Sequence, residues 1–89
     1  MQTTKFVKQP VAVSVIVEKD GRVFPRKFLW KDGHTYKIDR ITRVERAAST
    51  KVGGCDIRYT VMVKGLPRYL YDEEGKWFME DEVVIEVGT

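Results

Sequence analysis

Residues 26–40 read RKFLWKDGHTYKIDR, two aromatic runs joined by Lys31-Asp32-Gly33 and flanked by basic residues. The length of that turn decides how the two halves face each other. A two-residue loop sets Leu29 against Tyr36 and Phe28 against Lys37, so the apolar faces do not match. A three-residue loop sets Trp30 against His34, Phe28 against Tyr36 and Arg26 against Ile38, and the apolar side chains then share one face. A slip of one residue would turn every side chain to the opposite face. The three-residue loop is therefore expected, with Gly33 in the left-handed conformation that closes a type I turn and bulge.

The same turn grammar recurs on both sides of this hairpin. Lys19-Asp20-Gly21 and Glu73-Glu74-Gly75 each separate strand-like runs. At the second, a three-residue loop pairs Tyr71 with Trp77, Leu70 with Phe78, Tyr69 with Met79 and Asp72 with Lys76, placing aromatic pairs across the turn. The first is open between two forms. A two-residue Asp20-Gly21 loop pairs Val17 with Phe24, whereas a three-residue loop pairs Glu18 with Arg22 and then needs a bulge near Pro25, which cannot donate to a ladder.

Between the turns the residues alternate in twos. VAVSVIVE (11–18) places Val11, Val13, Val15 and Val17 on one face. CDIRYTVMVK (55–64) places Cys55, Ile57, Tyr59, Val61 and Val63 on a dry face, with Asp56, Arg58, Thr60, Met62 and Lys64 opposite. These are half-buried strands, and VVIEV (83–87) is a short last one. HTYKIDRITRVER (34–46) breaks step after Ile38, since Ile41 and Val44 follow at spacing three. Either the strand bends through a bulge near Asp39-Arg40 or a short helical turn begins there; the bent strand is favoured, because small barrels turn corners that way. AASTKVGG (47–54) is expected to be the most mobile loop, and Gly65 with Pro67 marks another turn.

The expected architecture is all-β: a small antiparallel meander of six to seven strands in one domain over 11–89, preceded by an N-terminal tail over 1–10. An SH3-like or similar half-open barrel is favoured because closure hides strand edges. Phe28, Trp30, Tyr36, Ile38, Ile57, Tyr59, Val61 and Trp77 are the expected core.

The 89-residue chain is 43% hydrophobic and 33% charged, the composition of an ordinary small globular domain. A core this size leaves little room for a large cofactor cavity. No window approaches the roughly 18 apolar residues of a membrane span. MQTTKFVKQP has no apolar core of signal-peptide length, so no export signal is expected. The single cysteine, Cys55, can form neither an internal disulfide nor a thiolate zinc cage, and the expected compartment is a reducing cytoplasm.

Pro25, Phe28, Trp30, Tyr36 and Ile38, followed by Tyr71, EEGKW and Phe78, resemble a family of small uncharacterised bacterial proteins. In that family a Pro-x-x-Phe-x-Trp run and a turn lead to Tyr-x-Val, and an aromatic Gly-x-Trp hairpin follows. The likeness spans most of residues 11–79, while AASTKVGGCDIRY departs from the tryptophan-containing segment of the family. It implies a shared all-β fold. Some members are encoded near translesion DNA polymerases, which implies a link to DNA repair. The resemblance carries no catalytic residues.

The residues themselves offer little catalytic machinery. His34 has no second histidine and no cysteine nearby in sequence, so a structural or solvent-exposed role beside the hairpin tip is expected rather than a metal site. Cys55 falls on the apolar face, where a free cysteine behaves as a small hydrophobe. The runs Asp72-Glu73-Glu74 and Glu80-Asp81-Glu82 diverge along a turn or strand, whereas general acid–base work needs carboxyls that converge. No phosphate-cradling glycine loop is present. No enzyme activity, cofactor or metal is expected.

Charge is more informative. Residues 1–71 hold 15 Lys or Arg against six Asp or Glu, and residues 72–89 hold one Lys against seven acids. Lys37, Arg40, Arg43 and Arg58, with Lys51 nearby, are expected to border an anion-attracting surface. The alternative is that Glu80, Asp81 and Glu82 fold across that face and neutralise it. Two functions follow: a non-catalytic accessory or adaptor barrel that binds a protein, or a small barrel that binds nucleic acid, with no membrane partner. Exposed aromatics among the arginines favour nucleic acid; an apolar patch or unpaired strand edge favours protein.

Overall fold

The structure, a computed structural model, describes residues 2–48, 55–86 and 88. These form eight strands: β1 (Gln2–Pro10), β2 (Ala12–Val17), β3 (Val23–Leu29), β4 (Thr35–Lys37), β5 (Arg40–Ala48), β6 (Cys55–Val63), β7 (Leu66–Glu73) and β8 (Lys76–Glu86). All pair antiparallel, in a five-stranded sheet of order β1-β8-β7-β6-β5 and a three-stranded sheet of order β2-β3-β4. The fold is the all-β antiparallel architecture read from the alternation, with eight strands rather than six or seven, and the two sheets do not close into a barrel.

Residues 2–10, expected as a tail, run as β1 against β8 from Gln2↔Glu86 to Pro10↔Phe78. The segment carries little strand signal of its own, because only Phe6 and Val7 are strongly apolar in it. Its ladder comes from the distant partner strand.

The 26–40 hairpin forms as expected. Phe28 pairs with Tyr36, their rings stacked at 5.5 Å. The Trp30 N–H donates to the His34 carbonyl at 2.9 Å, and Gly33 closes the loop at φ +87°. At the first turn the three-residue form is adopted: the Glu18 N–H donates to the Arg22 carbonyl at 2.8 Å, and a register shift follows between Ser14↔Lys27 and Val15↔Pro25. The extra residue, Arg26, sits beside Pro25 and spares the proline a ladder bond.

The Glu73-Glu74-Gly75 turn differs from expectation. Glu73 pairs with Lys76, Asp72 with Trp77 and Tyr71 with Phe78, which leaves a two-residue loop of Glu74 and Gly75. Both take positive φ, +49° and +86°, the backbone of a type I′ turn whose twist matches that of the flanking strands.

Residues 40–48 are strand, not helix. The bulge lies at Thr42, between Ile41↔Val61 and Arg43↔Thr60, rather than at Asp39-Arg40. The corner falls just before it. The Ile38 N–H donates to Arg26 in the small sheet, and the next N–H, of Asp39, donates to Met62 in the large one. Two consecutive amides thus hand the chain from sheet to sheet. Residues 49–54, most of the expected mobile loop and including Lys51, lie outside the described residues, as does the expected facing of the Cys55 side chain.

The core lies between the sheets. Tyr59, Val61, Val63, Leu70 and Met79 of the large sheet pack with Phe28 of the small one and with Ile38 at the corner between them. Trp30, Tyr36 and Trp77 pack at its margin, half-buried. Ile57, expected inside, is 37% exposed, because β6 outruns the small sheet at that end. On the outer face of the large sheet Tyr71 and Phe78 are also buried, their rings stacked at 4.9 Å.

Candidate interaction site

The short β7–β8 ladder generates the most distinctive surface of the molecule. The two strands pair only from Glu73↔Lys76 to Tyr71↔Phe78 and then diverge. Beyond that point β6 holds one edge of β7 back to Leu66, and β1 holds one edge of β8 out to Glu86. The two edges that face each other across the split have no ladder partner among the described residues.

A groove of about 540 Å³ fills the split. Its floor, on the core side, is made by Phe28, Trp30, Tyr36, Val63 and Met79. Leu66, Arg68 and Tyr69 form one wall, and Glu80, Asp81 and Glu82 the other. Side-chain contacts hold the β8 wall in place, among them the Tyr71 hydroxyl donating to Glu80 Oε1 at 2.9 Å and Lys31 Nζ bonding Asp81 Oδ2. Strand alternation sorts the walls by face. Tyr69, Glu80 and Glu82 lie on the outer side with Tyr71 and Phe78; Leu66, Arg68, Met79 and Asp81 lie on the core side.

The expected basic surface is partly assembled. Arg40, Arg43 and Arg58 share the outer face of the large sheet, opposite Met62, Thr60 and Glu45 respectively. Arg43 and Arg58 converge on Glu45, at 3.1 and 2.5 Å. The hydrogen bond from Arg58, more than any other influence, holds the Glu45 carboxyl below its ordinary 4.5, and Glu45 in turn raises the Arg58 pKa. The Arg58 guanidinium also lies over the Tyr69 ring, 4.5 Å from its centroid, and Tyr69 is 47% exposed. Lys37 does not join this group: it belongs to β4, opposite Lys27, and lines a separate hollow with His34, Asp39 and Lys64.

Among the described residues the arginines Arg43 and Arg58 pair with Glu45. Glu80 bonds Tyr71 and Asp81 bonds Lys31; the neutralising carboxylate is Glu45. Its place was legible in sequence, since Arg43 and Glu45 stand two apart and so share a strand face. The groove had no such signal, because it arises where a ladder stops.

His34 is exposed at the hairpin tip, with its Nδ1 3.0 Å from Asp32 Oδ2, and this contact lowers the Asp32 pKa. Among the described residues no group of three or more His, Cys, Asp or Glu side chains is placed to hold a metal ion, and no helix is long and apolar enough to cross a membrane. Comparison with known proteins matches the chain to no family model, no curated protein and no solved structure.

Proposed function

We propose that the protein is a non-catalytic interaction module of the cytoplasm that captures an extended segment of another protein by strand addition. The split between β7 and β8 carries this reading. Two strand edges face a common groove, and unpaired backbone donors and acceptors are a template for a further strand. The aromatic and aliphatic floor supplies the apolar contact that gives such a segment affinity beyond its backbone bonds. A selection of random displayed peptides against the full chain tests it. Bound peptides are expected to slow hydrogen exchange at Leu66–Leu70 and at Glu80–Val84, and Leu66→Asp, at an exposed groove position, is expected to abolish binding without unfolding the protein. Peptides that bind Leu66→Asp as well as the parent would place recognition elsewhere.

One observation favours a second reading, a nucleic-acid-binding module linked to DNA repair. Exposed Tyr69 stands beside Arg58 on the face that also carries Arg40 and Arg43. An aromatic platform among cations is how open β-surfaces stack and neutralise single strands. Against it, Glu45 already engages two of the three arginines. Salt-dependent binding of single-stranded DNA tests this reading.

A further inference from the structure

The chemistry of the captured segment, which rests on the strand-capture reading, is specified by the two faces of the split. A strand laid between β7 and β8 points its side chains alternately to the outer and the core side of the sheet. On the outer side each meets Tyr69 across one boundary and Glu80 or Glu82 across the other. Glu82 is exposed and has no ion pair among the described residues. Arg58 already lies over the Tyr69 ring, so what suits a partner cation on this side is the Glu82 carboxylate, which offers a cross-strand charge pair. On the core side the walls carry Leu66, Arg68, Met79 and Asp81, the last paired with Lys31, and the side chains descend past them onto Phe28, Trp30 and Tyr36, where an aliphatic group is favoured and an unpaired charge is costly.

The cis-acting partner of β8 points the same way. Its other edge is taken by β1, whose described residues include Lys5 and Lys8 and no acid, and Lys8 stands directly opposite Glu80. A second β8 from another copy is disfavoured at the open edge, since Glu80, Asp81, Glu82 and Glu86 would meet the same acids. The geometry points to a partner segment of another protein that is extended and alternates basic with aliphatic residues, its Lys or Arg side chains beside Glu82 and its aliphatic side chains on the aromatic floor.

Three fluorescein-labelled peptides of equal length separate the outcomes on the full chain: lysine alternating with valine, threonine alternating with valine, and glutamate alternating with valine. Anisotropy is expected to rank lysine above threonine above glutamate, with a gap of about tenfold for each step, the scale of one well-placed charge contact. Glu82→Lys, on an exposed wall position, is expected to narrow or invert the ranking. Equal binding by all three overturns the charge preference while strand capture stands. Binding by none of the three, or a ranking unmoved by both Glu82→Lys and Leu66→Asp, overturns capture in the groove as well. Concentration-dependent dimers in sedimentation that are lost in Leu66→Asp make a second copy the occupant and overturn the proposal.

Discussion

Tyr71 and Phe78 lie face to face across the β7–β8 ladder, ring centroids 4.9 Å apart and planes 5° from parallel. Both are buried although they sit on the outer face of the sheet. Lys8 covers one side, its Nζ 4.7 Å from the Phe78 centroid and 2.9 Å from Glu73 Oε2. The pair is thus a second, smaller core at the point where the ladder ends and the groove begins.

Removing one ring from this stack should be costly. Phe78→Ala is expected to destabilise by about 3–5 kcal/mol through lost burial and a cavity. Phe78→Leu keeps most of the volume and loses the stack, at about 1–1.5 kcal/mol. Tyr71→Phe removes only the hydroxyl bonded to Glu80, at about 1 kcal/mol. Urea midpoints order the three; a Phe78→Leu variant as stable as the parent means the stack contributes nothing.

The turn beside it offers a gain. Glu74 occupies φ +49° without the tolerance of asparagine or glycine for that region. Glu74→Asn is expected to stabilise by about 0.5–1 kcal/mol. Gly33→Val, at φ +87° with open space around its α-carbon, is expected to cost about 1–3 kcal/mol through backbone strain alone. Thermal melts of both variants check the signs; a neutral Gly33→Val would mean the 31–33 loop has an unstrained alternative.

The Glu45 pair should appear in the acid limb of stability. Arg58 lowers the folded-state pKa of Glu45 below its ordinary 4.5. A carboxylate with a depressed folded pKa stabilises the fold above its unfolded pKa, and the contribution is lost as pH falls through the folded value. Glu45→Gln is therefore expected to be less stable than the parent by a constant margin above about pH 5, with the two curves converging below the ordinary value. Urea melts from pH 7 down to pH 2 measure this, and a margin that persists at the acid end would show that packing rather than charge separates them.

Arg40 and Arg43 decide the nucleic-acid reading. If the outer face binds single strands, affinity should fall with salt at a log–log slope of roughly −0.7 per phosphate contacted. Arg40→Ala with Arg43→Ala should weaken binding to all sequences and flatten the slope, while Tyr69→Ala removes about 1–3 kcal/mol of stacking. Neutralising Glu80, Asp81 and Glu82 is expected to change binding less than neutralising Glu45, the carboxylate that pairs with Arg43 and Arg58. Anisotropy with labelled DNA at low salt gives the answer, and no binding by the parent leaves protein capture as the function.

Period-two alternation and turn chemistry are local, and the features they govern were readable from residues a few positions apart. The 26–40 register followed because only one loop length aligned Phe28 with Tyr36. The dry face of β6 followed from alternation of Tyr59, Val61 and Val63. Where neighbouring residues are alike, the local signal is degenerate. Trp77 and Phe78 are adjacent aromatics, so either register of the 73–75 turn offers Tyr71 an aromatic partner, and the longer loop fits the pattern as well as the one adopted.

Other features depended on residues far apart in the chain. Residues 2–10 carry little strand pattern of their own, and only their pairing with β8 makes them a strand. Ile57 alternates with the core residues yet is exposed, because the small sheet ends before reaching it. Plain alternation divides Arg40 from Arg43; the bulge at Thr42 sets both on the outer face, strand pairing brings Arg58 opposite Glu45, and strand connectivity sets Lys37 on the other sheet. The groove was invisible in sequence for the same reason: alternation specifies which face of a strand is dry, and only tertiary packing decides where two strands stop pairing.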